Sequence, residues 1–115
     1  PHAARALAEG LGGMGYARET IAVFAMLVDK DIDGVVAAMA SRVDRWHVAT
    51  VASERAAGVD RLADALARQG LEGRVRRFAT VPLAYEAALR EASPDDRILV
   101  FGSFLTVADV LRLPR

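Results

Sequence analysis

Residues 20–28 read Thr-Ile-Ala-Val-Phe-Ala-Met-Leu-Val, without a charged side chain or a polar alternation, until Asp29 closes the run. A short stretch that is apolar on both faces is what a strand buried on both sides of a sheet requires. It is also far short of the ~20 residues that span a bilayer. On either side the periodicity changes to that of a helix. Before the run, Ala3, Ala4, Leu7, Ala8 and Leu11 recur at helical spacing until the Gly-Gly-Met-Gly stretch at 12–15 stops them. After it, Asp31 is placed to cap a helix whose inner stripe is Ile32, Val35, Val36, Met39 and Val43.

The alternation continues to the end of the chain. Residues 45–51 read as a second strand. Val59, Leu62, Ala63 and Leu66 mark a third helix, ended by Gly70 at the C′ position. Residues 74–79 form a short, polar strand suited to a sheet edge. Thr80 and Pro82 open a fourth helix carrying Tyr85, Ala88, Leu89 and Ala92. Residues 93–96 are a turn, residues 97–101 another buried strand, and a last helix runs from about 106 to 111. No linker and no internal repeat interrupts this order. It predicts one α/β domain over residues 1–115: a three-layer, Rossmann-like unit with a mostly parallel sheet, right-handed crossovers and helices on both faces. A chain that opens on a helix in such an alternation, at Pro1 and His2 rather than at Met, reads as a piece of a longer protein that has lost the preceding strand.

Composition narrows the function. Of the 115 residues 53% are hydrophobic, which is enough to fill a core and argues against disorder. Basic and acidic residues both number 15, so the basic excess of a nucleic-acid module or a polybasic membrane anchor is missing. With no cysteine, a disulfide scaffold, a Cys-ligated zinc site and a thiol nucleophile are excluded, and the chain fits the cytosol. Neither a signal peptide nor a membrane span is expected. Neither G-x-G-x-x-G nor G-x-x-x-x-G-K-[ST] occurs, so a nucleotide triphosphate has no phosphate loop here.

In open α/β sheets ligands bind beyond the carboxyl ends of the strands, and two such ends carry polar chemistry. The first is Asp29-Lys30-Asp31. Lys30 is the one lysine among 15 basic residues. A compact ammonium with rotatable donors is not equivalent to the planar fork of arginine. Lys30 is therefore either a ligand-binding cation or a solvated lysine flanked by two carboxylates, with Asp31 as helix cap. The second end is Gly102-Ser103-Phe104. Gly102 would let backbone approach a ligand, and Ser103 offers a hydroxyl where a helix begins, an environment that favours anions. An ordinary βα turn with a capping Ser or Thr reads equally well. His47 in its strand, the Arg74, Arg76 and Arg77 group on an edge, and Asp95-Asp96 in a turn are expected to be structural. With His2 and His47 in unrelated contexts, no Ser-His-Asp triad can be drawn around Ser103.

At these two strand ends the sequence resembles the bacterial dihydrofolate synthase/folylpolyglutamate synthase family. Pro1-His2-Ala3-Ala4 is similar to the tail of that family's D-x-A-H-N-P-H-A-A segment, and Met26-Leu27-x-Asp29-Lys30-Asp31-Ile32 to its G-M-L-x-D-K-D block. Phe101-Gly102-Ser103-Phe104-x-Thr106-Val107 resembles its G-S-F-x-T-V block, and Trp46 after Val43-Asp44 fits V-D-x-W. Ala25 stands where the family has Gly. The blocks follow in order and spacing across nearly the whole chain.

The resemblance implies the C-terminal domain of a Mur-ligase-type enzyme without its central ATPase domain. Such enzymes use ATP and magnesium to join L-glutamate to dihydropteroate or a folate: the acceptor carboxylate is phosphorylated, and the glutamate amine attacks the acyl phosphate. The central domain would carry the phosphate loop and metals, and the C-terminal domain would close over it. By the same resemblance Lys30 would hold a glutamate carboxylate, Ser103 would hydrogen-bond that substrate, Phe104 would form a wall and His2 would line the pocket. Asp29, Asp31 and Gly102 would support them. No catalytic residue or metal ligand is implied within this chain, the isolated piece would be inactive, and the whole enzyme would be a cytoplasmic monomer. Two alternatives stand beside this reading. Another Mur-type ligase, for peptidoglycan or cyanophycin, would carry Arg where His2 stands. A receiver-like α/β module needs an aspartate at the end of its central strand and a later lysine; residues 48–51 end without one and Lys30 comes early.

Overall fold

The computed structural model describes residues 2–114, with the His2 side chain outside that description. The chain runs α1 (His2–Gly12), β1 (Thr20–Phe24), α2 (Ile32–Met39), β2 (Arg45–Ala49), α3 (Val59–Ala67), β3 (Val75–Phe78), α4 (Val81–Glu91), β4 (Arg97–Phe101) and α5 (Phe104–Leu111). The four strands are parallel in the order β3-β2-β1-β4. The expected three-layer α/β architecture is the one observed.

β1 sits in the interior of the sheet and its five residues are all buried. Its side chains alternate between two cores, as the pleat demands. Ala22 and Phe24 join Trp46, Val48 and the inner faces of α1, α2 and α3. Ile21 and Val23 join Ala49, Val81, Ala84 and Ala88, with Leu105 and Val110 of α5 alongside. Phe24, Trp46 and Phe101 form an aromatic group with ring centroids 5.0 to 5.9 Å apart.

Local signals end the helices where the chemistry requires. Asp31 Oδ1 accepts from the Gly34 amide at 3.1 Å and caps α2. Thr80 Oγ1 caps α4, with Pro82 in the first turn. After α3, the Gly70 amide donates to Ala67 and the Leu71 amide to Leu66, while Gly70 takes φ +75°. That pair of bonds is a Schellman closure with glycine at C′.

Three expectations are corrected. β1 ends at Phe24 rather than at residue 28, because β4 turns away at Gly102 and leaves the following residues without a parallel partner. They pair instead with residues 55–57: the Val28 amide donates to Arg55, the Ala57 amide to Met26, and Leu27 bridges Ala56 in antiparallel fashion. β4 is an edge strand, not a strand buried on both faces. It pairs only with β1 among the described residues, and Ile98, Leu99 and Val100 are half-buried. Leu89, read as an inner position of α4, is exposed; Ala84, Ala87 and Ala88 carry the buried face.

At the amino ends of the strands, Arg18 clamps the 93–96 turn. Its guanidinium meets Asp96 at 2.8 and 2.9 Å, and the Ser93 amide donates to the same carboxylate. The Arg18 hydrogen bond, followed by that amide, holds the Asp96 carboxyl below the usual carboxylate range. His47 lies buried in β2, with Nδ1 3.1 Å from the Ala84 carbonyl and Nε2 3.2 Å from Glu91. Arg76 and Arg77 on edge strand β3 pair with Glu91 and Asp60. None of these groups lines the cleft that holds Lys30 and Ser103.

Two outcomes follow for stability. Phe101→Ala empties a site shared by three aromatic rings and is expected to cost about 3–5 kcal/mol, whereas Leu89→Ala should stay within about 0.5 kcal/mol; urea unfolding of both variants measures the difference. A carboxyl held below its unfolded value of about 3.9 contributes stability at pH values above it and loses that contribution as pH falls toward the native value. Asp96→Asn should therefore lower the melting temperature at pH 7 more than at pH 3, which a pH series of thermal melts would show.

Candidate functional site

The sheet order places a topological switch point between β1 and β4: connections from β1 run toward β2 and β3, while the crossover from β3 returns to the other side. Ligands in open α/β sheets bind in the crevice at such a point. Here the crevice is a cleft of about 640 Å³ at the carboxyl ends of β1 and β4. One wall is the β1–α2 loop with Met26, Leu27, Lys30 and Asp31, backed by Val35 of α2. The other is Phe101 at the end of β4, followed by Gly102, Ser103, Phe104, Leu105 and Val107.

The structure brings Lys30, Asp31, Gly102, Ser103 and Phe104 to this cleft. Lys30 is exposed, and among the described residues no carboxylate pairs with it. Both acidic neighbours are engaged elsewhere. Asp31 caps α2 by accepting from the Gly34 amide, and Asp29 forms an ion pair with Arg55, neither member of which lines the cleft. Desolvation opposes the charge on Asp29, but its own backbone amide and the Arg55 guanidinium outweigh it and hold that carboxyl below the usual range. Asp29 therefore shapes the loop rather than the cleft surface. Phe104 stands 94% exposed at the rim. A smaller hollow of about 210 Å³ adjoins, lined by Ala3, Ala4 and Leu7 of α1 with Val35, Phe101 and Gly102. The start of α1 thus lies beside the cleft, while the proposed role of His2 falls outside the described side chains.

Across from Lys30, α5 presents its amino terminus. Ser103 is the N-cap: its Oγ accepts from the Thr106 amide at 3.2 Å. The amides of Phe104 and Leu105, the first two residues of the helix, have no intrahelical acceptor. An ammonium on one wall and free amides at a helix start on the other make a cleft suited to a small anion such as a carboxylate.

Gly102 has a different reason from the one expected. It takes φ +124°, and a Cβ there would lie 2.1 Å from the Ala25 carbonyl oxygen. The glycine lets β4 turn tightly against the end of β1, so its close approach is to the protein's own backbone. Thr106 escaped the sequence reading as a functional position. It is fully buried, with Oγ1 2.8 Å from the Ala25 carbonyl and 3.0 Å from Ser103 Oγ. The signal was available: Ser103 and Thr106 stand in the N-cap to N3 relation.

Among the described residues no group of three or more His, Cys, Asp or Glu side chains is arranged to hold a metal ion. No described helix is long and apolar enough to cross a membrane.

The chain is a parallel α/β unit with its polar groups gathered at a β1/β4 switch point, and residues 1–104 match the Mur ligase, glutamate ligase domain family. The chain belongs to that family. Within it, the chain is 36% identical to the dihydrofolate synthase/folylpolyglutamate synthase of Escherichia coli K12, over 98% of this chain and 25% of that protein. The corresponding Haemophilus influenzae enzyme is also 36% identical, over 95% of the chain and 25% of the relative. The fold matches E. coli FolC in complex with DHPP and ADP with a TM-score of 0.87, 36% identity, and coverage of 96% of this chain and 25% of that one. A bifunctional folylpolyglutamate synthase/dihydrofolate synthase with Mn, AMPPNP and L-glutamate bound matches with a TM-score of 0.86 and 38% identity, over 96% and 26% of the respective chains. The chain spans about a quarter of the length of these relatives.

The backbone demand at Gly102 is directly testable. Gly102→Ala forces a side chain into a left-handed conformation, which costs about 1–3 kcal/mol, and adds a collision with the Ala25 carbonyl. A drop in the urea midpoint of at least that size is expected.

Proposed function

We propose that this chain is the glutamate-receiving domain of an ATP-dependent ligase that adds L-glutamate to dihydropteroate or a folate. The observation that carries the reading is the unpaired Lys30 ammonium at the β1/β4 switch point, facing the amino terminus of α5. Lys30 takes a glutamate carboxylate, and the Phe104 and Leu105 amides and Ser103 hold the substrate from the opposite wall. Phe104 forms the rim, and Met26, Leu27 and Val35 keep water from one flank. So held, the amino acid presents its amine to an activated acyl group delivered from outside the domain.

ATP and Mg²⁺ belong to the part of the ligase beyond these residues, in a central ATPase domain, since the sequence has no phosphate loop and the described residues hold no group of three or more metal-ligating side chains. The relatives' length, about four times that of this chain, leaves room for such a domain. Phe104, Val107 and Leu111 form an exposed apolar row on α5 that continues from the cleft, a surface suited to be covered when the domains close. The ligase works as a cytoplasmic monomer. The ADP and DHPP bound to E. coli FolC, and the AMPPNP, Mn and L-glutamate bound to the bifunctional synthase, support this choice of substrates and cofactors.

Lys30→Ala in the full-length ligase tests the assignment. Losing a charge-assisted bond of about 1.5–3 kcal/mol should raise the KM for glutamate roughly ten- to a hundredfold and leave the KM for ATP nearly unchanged. Lys30→Arg should restore only part of the loss, because the guanidinium is larger and fixed in its fork. A glutamate KM that does not move in steady-state titrations would take Lys30 out of the amino-acid site.

A further inference from the structure

We propose that Thr106 is a positioning residue for the cleft: its buried hydroxyl fixes the Ser103 hydroxyl and ties the start of α5 to the end of β1. The inference rests on the glutamate-ligase reading for its effect on turnover, and on hydrogen-bond geometry for the positioning itself.

A proton count carries it. Thr106 Oγ1 lies 2.8 Å from the Ala25 carbonyl oxygen, which can only accept, so the single Thr106 hydroxyl hydrogen goes there. Ser103 Oγ, 3.0 Å from Thr106 Oγ1, must then donate to it, while accepting from the Thr106 amide at 3.2 Å. Both bonds of the Ser103 hydroxyl end on Thr106. Its hydrogen is turned away from the cleft, so toward a substrate Ser103 Oγ can only accept, as from the amino-acid ammonium, while a substrate carboxylate finds its donors in Lys30 and the Phe104 and Leu105 amides. Thr106 is 0% exposed and never meets substrate. It acts through Ser103, and through the distance it keeps between the α5 amides and the loop that bears Lys30. The residues it joins are 81 positions apart, so no local turn preference replaces the tie.

The test compares Thr106→Val, which keeps the branched shape and removes the hydroxyl, with Thr106→Ser, which keeps the hydroxyl and removes the methyl. In the full-length ligase Thr106→Val should raise the glutamate KM about three- to tenfold, as expected for one neutral hydrogen bond, with kcat and the ATP KM changed less than twofold by the same reasoning. Thr106→Ser should return the glutamate KM to near the parent value. In the 115-residue chain, side-chain couplings measured by NMR should show one Ser103 χ1 rotamer in the parent and in Thr106→Ser, and averaging in Thr106→Val. If Thr106→Val does not fold, Thr106→Ser must still hold a single Ser103 rotamer and a near-parent KM, and loss of either overturns the assignment. An unchanged Ser103 rotamer in folded Thr106→Val overturns the positioning role. A glutamate KM that falls or stays put while the rotamer averages overturns its relevance to binding. A parent enzyme without glutamate-dependent ADP formation would instead overturn the ligase reading, leaving the rotamer experiment to decide the positioning.

Discussion

The carbonyl of Ala25 is the point on which the cleft end of this domain depends. It stands one residue beyond β1, where the parallel ladder to β4 gives out at Phe101. Two features of the opposite wall converge on it: Gly102 packs so close that no Cβ fits, and Thr106 donates its hydroxyl hydrogen at 2.8 Å. A buried carbonyl left without a donor is costly, so the β4–α5 turn is held against β1 by backbone satisfaction as well as by apolar contact. The cleft follows from that clamp. With β4 turned back at Gly102, residues 26–28 peel off toward residues 55–57, and the space between the diverging segments is where Lys30 and Ser103 face each other.

The ionic chemistry divides along the same line. Ion pairs among the described residues run through arginines or His47, and none through Lys30. Arginine forks suit fixed carboxylates: Arg18 holds Asp96, Arg61 and Arg68 share Asp33, and Arg45 and Arg76 meet on Glu91. The lone lysine forms no ion pair among the described residues, although Asp31 lines the same cleft and the Asp29 carboxyl feels its charge. Its neighbours Asp29 and Asp31 could each have paired with it, yet one is paired with Arg55 and the other caps α2 through the Gly34 amide. A surface cation kept clear of partners in this way is available to a ligand's anion.

Much of this was legible in the sequence because the signals are local. The uncharged run at 20–28 marked the central strand, Asp31 and Thr80 marked caps, and Gly70 marked a Schellman turn. Lys30 stood out by its singularity, and Ser103 by its place between a strand and a helix. What the sequence did not show depends on pairing partners far along the chain. The early end of β1 is decided by where β4 stops, 77 residues later by number (Phe24 against Phe101). The edge position of β4 is a matter of sheet order, which a uniformly apolar strand does not encode, since edge and interior strands of a parallel sheet can share the same composition. Gly102 was visible as a glycine with a purpose, but whether its Cβ would meet a ligand or a carbonyl is a three-dimensional fact. Thr106 was missed for a related reason. A threonine in the first turn of a helix looks like ordinary capping chemistry until its hydroxyl is found on a carbonyl 81 residues away.

The geometry also explains why a domain of this kind would be an incomplete site by itself. Lys30 is exposed, Phe104 is almost wholly so, and the cleft opens to solvent along the side where Val107 and Leu111 continue the apolar row. In water a single ammonium–carboxylate contact of this sort contributes about 0–1 kcal/mol, too little to select an amino acid. The same contact in a covered, partly dry cleft is worth severalfold more, because the competing water has gone. In the proposed ligase the surface that covers Phe104, Val107 and Leu111 would therefore do more than exclude solvent. It would turn a weak ionic contact into a selective one at the moment the activated acyl group arrives, so that glutamate is held firmly only when there is something for its amine to attack.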